Sequence, residues 1–485
     1  MPESLGIVIL AAGQGTRMKG HIHKVLHTVA GIPMIEHVLR SALQLEPSKL
    51  AVVLGHNADQ VADVIKRKYQ VDFVLQDPPR GTGDAVRVSR PAMDGVEHVM
   101  VLYGDTPLIR PETLRRLIDH HIAESPRVTI LIGETHDPGR VLMDERGRVI
   151  AVVEEKQATE EQLKIRERNS GVAVFQADWM WEHLESLQPS PVSGEYQLTD
   201  LVNIAVREDI GGHWSAYTPE TASQEISEPV DTKWPVQYVV VEDPSEAMGI
   251  NNRLQLAIAE KIMRQRILES LMLSGVTVTD PESTYVDVDV RVDVDAVLLP
   301  GTHLTGKTKV SRGAVVGPYS FIRDSYLDED CRVQMSVVEE SYVGVKSDVG
   351  PFSHLRPGTR VEAGVHIGNF VETKNTVLHA GVKCGHVSYL GDAEVGEEAN
   401  IGAGTITANY DGVNKNPTKI GRRAFIGVDT MLIAPVEVGE GAKTGAGAVV
   451  TKDVPAGKLV VGVPARQVPQ HARKDEASEE LEDEK

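Results

Sequence analysis

The stretch Ile420-Gly-Arg-Arg-Ala-Phe-Ile-Gly-Val-Asp-Thr-Met-Leu432 decides the architecture of the second half of the chain. Its branched residues Ile420, Ile426 and Leu432 stand six apart, and the step continues through Val438, Thr444 and Val450. Two further series keep the same step: Val286, Val292, Leu298, Leu304, Val310, Val316 and Ile322, then Val349, Leu355, Val361 and Ile367. Gly often follows the apolar position, as in Val316-Gly317, Ile367-Gly368, Ile401-Gly402, Ile426-Gly427 and Val438-Gly439. A six-residue period matches neither helical spacing nor simple strand alternation. It fits a chain that turns a corner every six residues, with one branched side chain per face pointing inward and Gly relieving the bend. Such coils bury little singly and depend on stacked neighbours, so a parallel β-helix is expected over 275–468. The alternative, a sandwich whose Val spacing is periodic by chance, is disfavoured by three runs in step.

At 485 residues the chain is too long for one ordinary core. All four Trp (Trp179, Trp181, Trp214 and Trp234) precede the repeats, as expected if a narrow coil has little room for an indole. A net charge of −20 argues against general nucleic-acid or anionic-membrane binding. Part of it sits in an acidic tail, 469–485, expected to be disordered. Cys331 and Cys384 are the only cysteines, so neither a disulfide framework nor a Cys-rich metal site is indicated. The apolar run Ile7–Ala12 lacks the basic flank and length of a signal peptide, and no stretch reaches membrane-spanning length. A cytoplasmic enzyme is the simplest reading.

In the first half, Leu5-Gly-Ile-Val-Ile-Leu-Ala-Ala-Gly-Gln-Gly-Thr-Arg-Met18 reads as a buried strand entering a Gly-rich loop. Short apolar runs recur at 50–54, 71–75, 99–102 and 128–132, separated by helical segments at 33–43, 59–68, 82–89 and 111–123. This alternation predicts a doubly wound, mostly parallel α/β sheet over 1–244, with ligands at the carboxyl ends of its strands. The loop 12–17 offers backbone N–H groups and the Arg17 guanidinium to phosphate oxygens, although it matches neither common phosphate-loop fingerprint. Arg80-Gly-Thr-Gly-Asp84 opens a helix, where N–H groups can face a polar ligand. Asp105, just after the 99–102 run, is either a metal-ligating carboxylate or an Asx turn before Pro107. A linker helix is predicted over 245–274, capped by Ser245.

Within the repeats, 344–402 is dense in polar and basic groups: Arg356, Lys374, His386, Tyr389 and Asn400. Asn409-Tyr-Asp-Gly-Val-Asn-Lys415 then interrupts the sixfold step, and a non-repeating loop on a rigid solenoid commonly forms binding surface. His386 is either a general base, since neutral imidazole accepts a proton near pH 7, or an ordinary surface histidine. The other histidines show no closed metal-site spacing.

Taken together, Leu10–Met18, Lys24-Val-Leu-His27, Gln76 with Gly81-Thr-Gly83, and Tyr103-Gly-Asp-Thr-Pro-Leu108 resemble the sugar-phosphate nucleotidyltransferases. With Asn169-Ser-Gly171, Gly194-Glu-Tyr196 and Gly249-Ile-Asn-Asn-Arg253 added, the half is similar to the uridylyltransferase domain of the bifunctional bacterial enzymes that make UDP-N-acetylglucosamine. The resemblance implies that Leu10, Ala11, Ala12, Gly13, Lys24, Gln76, Gly81 and Thr82 hold the UTP nucleotide, with Arg17 near its phosphates. It implies Mg²⁺ on Asp105 and Asn251. Gly139, Glu154 and Asn169 would hold the N-acetylglucosamine part, with Tyr103 and Gly104 in the same cleft. His23, Arg80 and Asp84 depart from the family pattern, and Arg80 would offset Asp84.

The repeat half resembles the acetyltransferase domain of the same family, a left-handed parallel β-helix of hexapeptide repeats that assembles as a homotrimer with sites between subunits. The resemblance implies that Arg356 and Lys374 meet the phosphate of glucosamine 1-phosphate, and that Tyr389, Asn400 and Lys415 complete the acceptor site. His386 would take a proton as the sugar amine attacks acetyl-CoA. Ala403, Asn409, Tyr410 and Ala446 would line the acetyl-CoA side. Val428 stands where the family often has Ser, and the end of the repeats has an altered motif in which either Arg466 or another subunit would supply the basic contact to coenzyme A. The implied catalytic set is therefore His386, Arg17 and Lys24, serving acetyl transfer and then uridylyl transfer. Two rivals differ in class: a monofunctional nucleotidyltransferase with a purely trimerising repeat domain, and a non-enzymatic sugar-nucleotide sensor.

Overall fold

The computed structural model describes residues 4–13, 15–55, 57–134, 139–209 and 234–468. The chain divides into two compact units, Met1–Met263 and Arg264–Lys485. The tail 469–485 lies outside the described residues.

The first unit is built on a sheet whose main path runs Val236–Val240, Val128–Gly133, Arg168–Gln176, His98–Tyr103, Leu5–Ala11, Lys49–Leu54 and Asp72–Leu75. Leu5–Ala11 is central and pairs in parallel with both neighbours, whereas Arg168–Gln176 runs antiparallel to the strands flanking it. Alternate residues of the central strand feed two cores: Val8 and Leu10 enter one, Ile7, Ile9 and Ala11 the other. Both faces are thus covered, as a near-continuous apolar strand requires. The helices Met34–Leu43, Ala58–Ile65, Thr82–Val88 and Pro111–Glu124 fall where the apolar spacing places them.

The linker differs from expectation. Ser245 does not begin a long helix: Asp243 accepts a hydrogen bond from the Ser245 N–H and caps a single 3₁₀ turn, Pro244–Ala247. The α-helix itself runs Arg253–Leu273, and the first compact unit extends through Met263, so Asn251 belongs to it. The Pro244 ring favours a turn start, and the segment 248–252 is drawn instead to the sheet, where the Ile250 N–H donates to the Asp105 carbonyl at 2.9 Å.

The second unit is the expected left-handed parallel β-helix. Short strands pair in parallel across successive coils, as in Val297–Leu298 with Val315–Val316 and His303–Thr305 with Phe321–Arg323. A third row begins with Arg291–Val292 paired to Lys309–Val310. Every member of the three sixfold series is buried, from Val286 at 3% exposure to Val450 at 1%. Each buried Val, Leu or Ile contributes about 1.5–3 kcal/mol, so the column is the unit's main stabilising term. Between Ile322 and Val349 the column continues through Leu327, Val333, Val338 and Val343, with shortened steps that hide it from a count by sixes. Thr373, Cys384 and Thr407 also occupy buried positions.

Gly427 acts differently from the expected relief of a bend. It is not among the left-handed residues; a Cβ there would lie 2.5 Å from the Thr444 carbonyl of the next coil. Close stacking demands the missing side chain, and the corner itself is turned at Asp429, with φ 56°.

Candidate active sites

The first site lies at the carboxyl ends of the central strands. Leu5–Ala11 delivers Leu10–Gly13, and His98–Tyr103 delivers Tyr103 and Asp105. A cleft of about 620 Å³ is lined by Leu10, Ala11, Ala12, Gly13, Arg17, Lys24, Gln76, Gly81, Thr82, Tyr103, Asp105 and Asn251, all singled out from the sequence. Glu195, Tyr196 and Gln197 line it as well. Glu195 and Tyr196 carried part of the family resemblance without being assigned a place, and Gln197 was not singled out for the site. They reach the cleft because the Tyr196 N–H donates to the Arg80 carbonyl at 2.8 Å and the Gly83 N–H to the Tyr196 carbonyl at 2.9 Å. Such a pairing between distant segments leaves no mark in local spacing.

Charge converges at one end of the cleft. The Lys24 ammonium meets the Asp105 carboxylate and donates to the Asn251 amide oxygen at 2.7 Å. Arg17 donates to the same oxygen at 2.8 Å. Asp105 and Asn251 therefore aim two oxygens at one cationic point, a donor set that suits a hard divalent cation completed by water and phosphate oxygens. Among the described residues no group of three His, Cys, Asp or Glu side chains could form an all-protein cage.

Gly104, Gly139, Glu154 and Asn169 are not in that lining. Gly104 donates its N–H to the Leu10 carbonyl at 2.9 Å and packs beneath the cleft floor. The other three form a neighbouring group: the Asn169 N–H donates to the Gly139 carbonyl at 3.0 Å, and a Cβ on Gly139 would be 3.9 Å from a Glu154 carboxylate oxygen. Burial pushes the Glu154 pKa up, against a hydrogen bond from Thr199. Tyr103 joins the two regions, its ring packing on Gly171 two residues beyond Asn169.

The Arg80–Asp84 compensation is present and larger than expected. Asp84 is 1% exposed and accepts hydrogen bonds from Gln76, Arg80 and Arg87. Both guanidinium groups also lie over the Tyr196 ring, at 5.9 and 5.2 Å from its centre.

On the β-helix, strand register and the inserted loop bring four of the predicted acceptor residues, Arg356, Lys374, Tyr389 and Lys415, into one neighbourhood. Arg356 follows His354–Leu355, which pairs with Glu372–Thr373, so it lies beside Lys374. Lys415, from the inserted loop, contacts Lys374, and this contact with the Arg356 charge pulls the Lys374 pKa down. Arg356 donates to Glu372 at 2.8 Å. Tyr389 pairs in register with Glu372, and its hydroxyl and the Asn409 amide both crowd the space above Gly391. Asn409 is held by Asp392, which accepts from it at 2.6 Å and from Asn375 at 2.7 Å. An adjoining cavity of about 320 Å³ is lined by Lys415, Asn375 and Asp392 but not by His386, Arg356 or Lys374.

His386 is exposed and registers with Asn369. Its column continues upward: the Gly404 N–H donates to the Val387 carbonyl, the Asp429 N–H to the Ala403 carbonyl, and the Gly447 N–H to the Val428 carbonyl. His386, Ala403, Val428 and Ala446 thus share one corner across successive coils. Asn400 stands on the neighbouring strand beside Lys383 and Phe425. Tyr410 is exposed and donates its hydroxyl to the Gly412 carbonyl, while Arg466 is exposed on the last, antiparallel strand. Three other repeat-region histidines are engaged with carboxylates, His354 with Glu339, His366 with Asp348, and His379 with Glu362 and Glu394, while His303 stacks on the Tyr285 ring at 4.5 Å. None forms a metal group.

Comparison with known proteins agrees with both halves. Residues 7–176 match the MobA-like NTP transferase domain, and residues 417–452 match the bacterial transferase hexapeptide model, six repeats. The chain is 40% identical to "Bifunctional protein GlmU" of Streptococcus agalactiae serotype V over 459 residues, 94% of each chain. It is 40% identical to the protein of that name from Corynebacterium diphtheriae, over 95% of this chain and 92% of that one. It is 42% identical to that from Desulfitobacterium hafniense strain DCB-2, over 94% and 95%. With both domain types in order along almost the whole of these relatives, the chain belongs to the bifunctional GlmU family.

Proposed function

We propose that the chain makes UDP-N-acetylglucosamine by two sequential transfers. Acetyl passes from acetyl-CoA to glucosamine 1-phosphate on the β-helix, and uridylyl then passes from UTP to the N-acetylated product in the first unit. The observation that carries this reading is the pair of cationic clusters, Arg17–Lys24 and Arg356–Lys374–Lys415, each on its own domain and each beside a cavity.

In the uridylyl site, a sugar-phosphate oxygen forms the new bond to the α-phosphorus while the α–β bridge breaks and pyrophosphate leaves. Two anions must approach, so their repulsion is the main barrier. Arg17 and Lys24 offset that charge from one wall, and the N–H groups of Ala12, Gly13, Gly81 and Thr82 align the phosphates and base. Asp105 and Asn251 are the residues that would hold Mg²⁺, which when bound supplies further charge neutralisation at the phosphates. Glu154, Gly139 and Asn169 would take the sugar, with Tyr103 at the join.

In the acetyl site, the sugar amine attacks the thioester carbon, the C–S bond breaks, and the thiol leaves with a proton. His386 removes the ammonium proton as the C–N bond forms. Arg356 and Lys374, with Lys415 beside them, hold the phosphate, and Tyr389 and Asn400 complete the acceptor site. Ala403, Asn409, Tyr410, Val428, Ala446 and Arg466 would border acetyl-CoA. Small residues along the His386 corner leave room for the acyl donor.

A homotrimer is proposed as the working assembly. Tyr319, Met335, Phe352 and Phe370 occupy one corner of successive coils with φ between 43° and 62°, and Tyr319, Phe352 and Phe370 are more than half exposed. Bulky apolar residues held in left-handed backbone at the surface indicate a partner surface. Among the described residues no helix is long and apolar enough to cross a membrane, which accords with a cytoplasmic location. The test is to assay each half-reaction separately, following coenzyme A release with glucosamine 1-phosphate and pyrophosphate release with N-acetylglucosamine 1-phosphate and UTP. Pyrophosphate release without any acetyl transfer would favour the monofunctional rival.

A further inference from the structure

Gln76 enters the cleft from the end of Asp72–Leu75, its backbone N–H donating to the Leu54 carbonyl at 2.8 Å. Its side-chain nitrogen donates twice, to the Gly81 carbonyl at 3.0 Å and to an Asp84 carboxylate oxygen at 2.8 Å. Both partners can only accept, so the amide has one orientation available, and both of its hydrogens are committed to protein atoms. What remains for a ligand is Oε1, an acceptor. Asp84 makes the choice firm. It is 1% exposed, and although burial raises its pKa, hydrogen bonds from Gln76, Arg87 and Arg80 outweigh that effect and hold it below the usual carboxylate range. A carboxylate so paired stays ionised at neutral pH and cannot donate.

We infer that Asp84 is the positioning residue for nucleobase selection: by fixing the Gln76 amide with its oxygen free, it makes the cleft require a base that offers a ring N–H donor. Uracil, with an N3–H, meets that requirement, and cytosine, with an N3 lone pair, does not. Thymine would share the contact, so selection between ribose and deoxyribose must arise elsewhere. The inference rests on the uridylyl-transfer reading and deepens it. It also gives the pattern departure at Asp84 a role beyond partnering Arg80, because a carboxylate is the one side chain of this size that accepts from an amide and two guanidinium groups together.

The experiment uses the full chain and two readouts. First, the parent protein is assayed for pyrophosphate release with UTP, CTP and 3-deazauridine triphosphate, which keeps the shape of uracil but carries C–H in place of N3–H. Second, Asp84→Asn is assayed with UTP and CTP, with its thermal unfolding transition set beside the parent's as the measure of intact folding of the first unit. The parent should prefer UTP to CTP and use the deaza analogue at least ten-fold less efficiently than UTP. In Asp84→Asn the amide of Gln76 is free to turn, and the UTP-to-CTP ratio of kcat/KM should fall at least ten-fold, through KM more than kcat. A uniform loss on both nucleotides with the ratio unchanged would make Asp84 merely structural and overturn the inference. If the variant does not fold, equal use of UTP and the deaza analogue by the parent overturns it independently. A parent that shows no preference for UTP would instead sink the uridylyl-transfer reading itself.

Discussion

Replacing Gly81 by Ala should injure uridylyl transfer selectively. Gly81 has φ 109° and ψ 174°, in a region essentially reserved for glycine. An added Cβ would lie 2.5 Å from the Tyr196 carbonyl oxygen and 2.8 Å from its nitrogen. Both are backbone atoms tied back to Arg80 and Gly83, so the turn rather than the obstacle has to move. Holding an alanine in this conformation costs about 1–3 kcal/mol. If the turn opens to relieve the strain, the Gly81 carbonyl withdraws from Gln76 and the base contact is lost with it. At 1.4 kcal/mol per tenfold, kcat/KM for UTP should fall by roughly 5- to 150-fold, chiefly as a rise in KM. The assay is pyrophosphate release against UTP concentration, with coenzyme A release measured on the same preparation. A KM for UTP within twofold of the parent would refute the reasoning, as would an equal loss of acetyl transfer in a folded protein.

Other outcomes follow from the two clusters and the cores. His386→Ala should lower acetyl transfer by about 100-fold or more while sparing uridylyl transfer, and Asp105→Ala should do the reverse; loss of both activities in either correctly assembled variant contradicts the assignment. Lys415 and Arg356 depress the Lys374 pKa, so Lys374 loses charge at a lower pH than an ordinary lysine as pH rises. KM for glucosamine 1-phosphate should accordingly climb early on the alkaline side, and Lys415→Met should move that climb to higher pH, even though affinity at neutral pH falls. An unmoved alkaline limb would show that the three cations do not share the phosphate. In the first unit, burial together with the nearby His98 and His120 pushes the His121 pKa down to about 3, against about 6.5 for an unfolded chain. The unfolded state therefore binds more protons between those values, and stability present above pH 6.5 is lost as pH falls toward 3. The slope from this residue is at most about 1.4 kcal/mol per pH unit. Urea midpoints from pH 7 to 4.5 should fall less steeply in His121→Gln than in the parent; identical slopes would count against it.

Much of this was legible because local chemistry was strong. The strand Leu5–Ala11 and the loop after it combine an unbroken apolar run with glycine, and nothing but a buried strand end accommodates both. The β-helix column announced itself wherever the step stayed at six. It faded between Ile322 and Val349, where Leu327, Val338 and Val343 come one residue early, and at Thr373, Cys384 and Thr407, where hydroxyl and thiol groups replace aliphatic ones. Residue choice there reflects hydrogen bonding inside the coil: Thr407 Oγ1 accepts from the Gly391 N–H at 2.7 Å. The start of the linker helix was misplaced because Ser245 and Pro244 look like a cap, and only the bond from Ile250 to Asp105 reveals that the following residues serve the sheet. The places of Glu195–Gln197 and the second guanidinium on Asp84 depend on chain segments far apart in sequence, which pattern alone does not join.

The most direct measurement of the central claim, that one chain carries two separate transfer sites, mixes the two inactivated variants. Neither His386→Ala nor Asp105→Ala should convert glucosamine 1-phosphate, acetyl-CoA and UTP into UDP-N-acetylglucosamine at an appreciable rate. An equimolar mixture should recover much of the parent rate, because each variant supplies the transfer the other lacks and the acetylated sugar phosphate can diffuse between them. A mixture as inactive as its components, from variants that remain folded, would mean that the two reactions do not occupy independent sites.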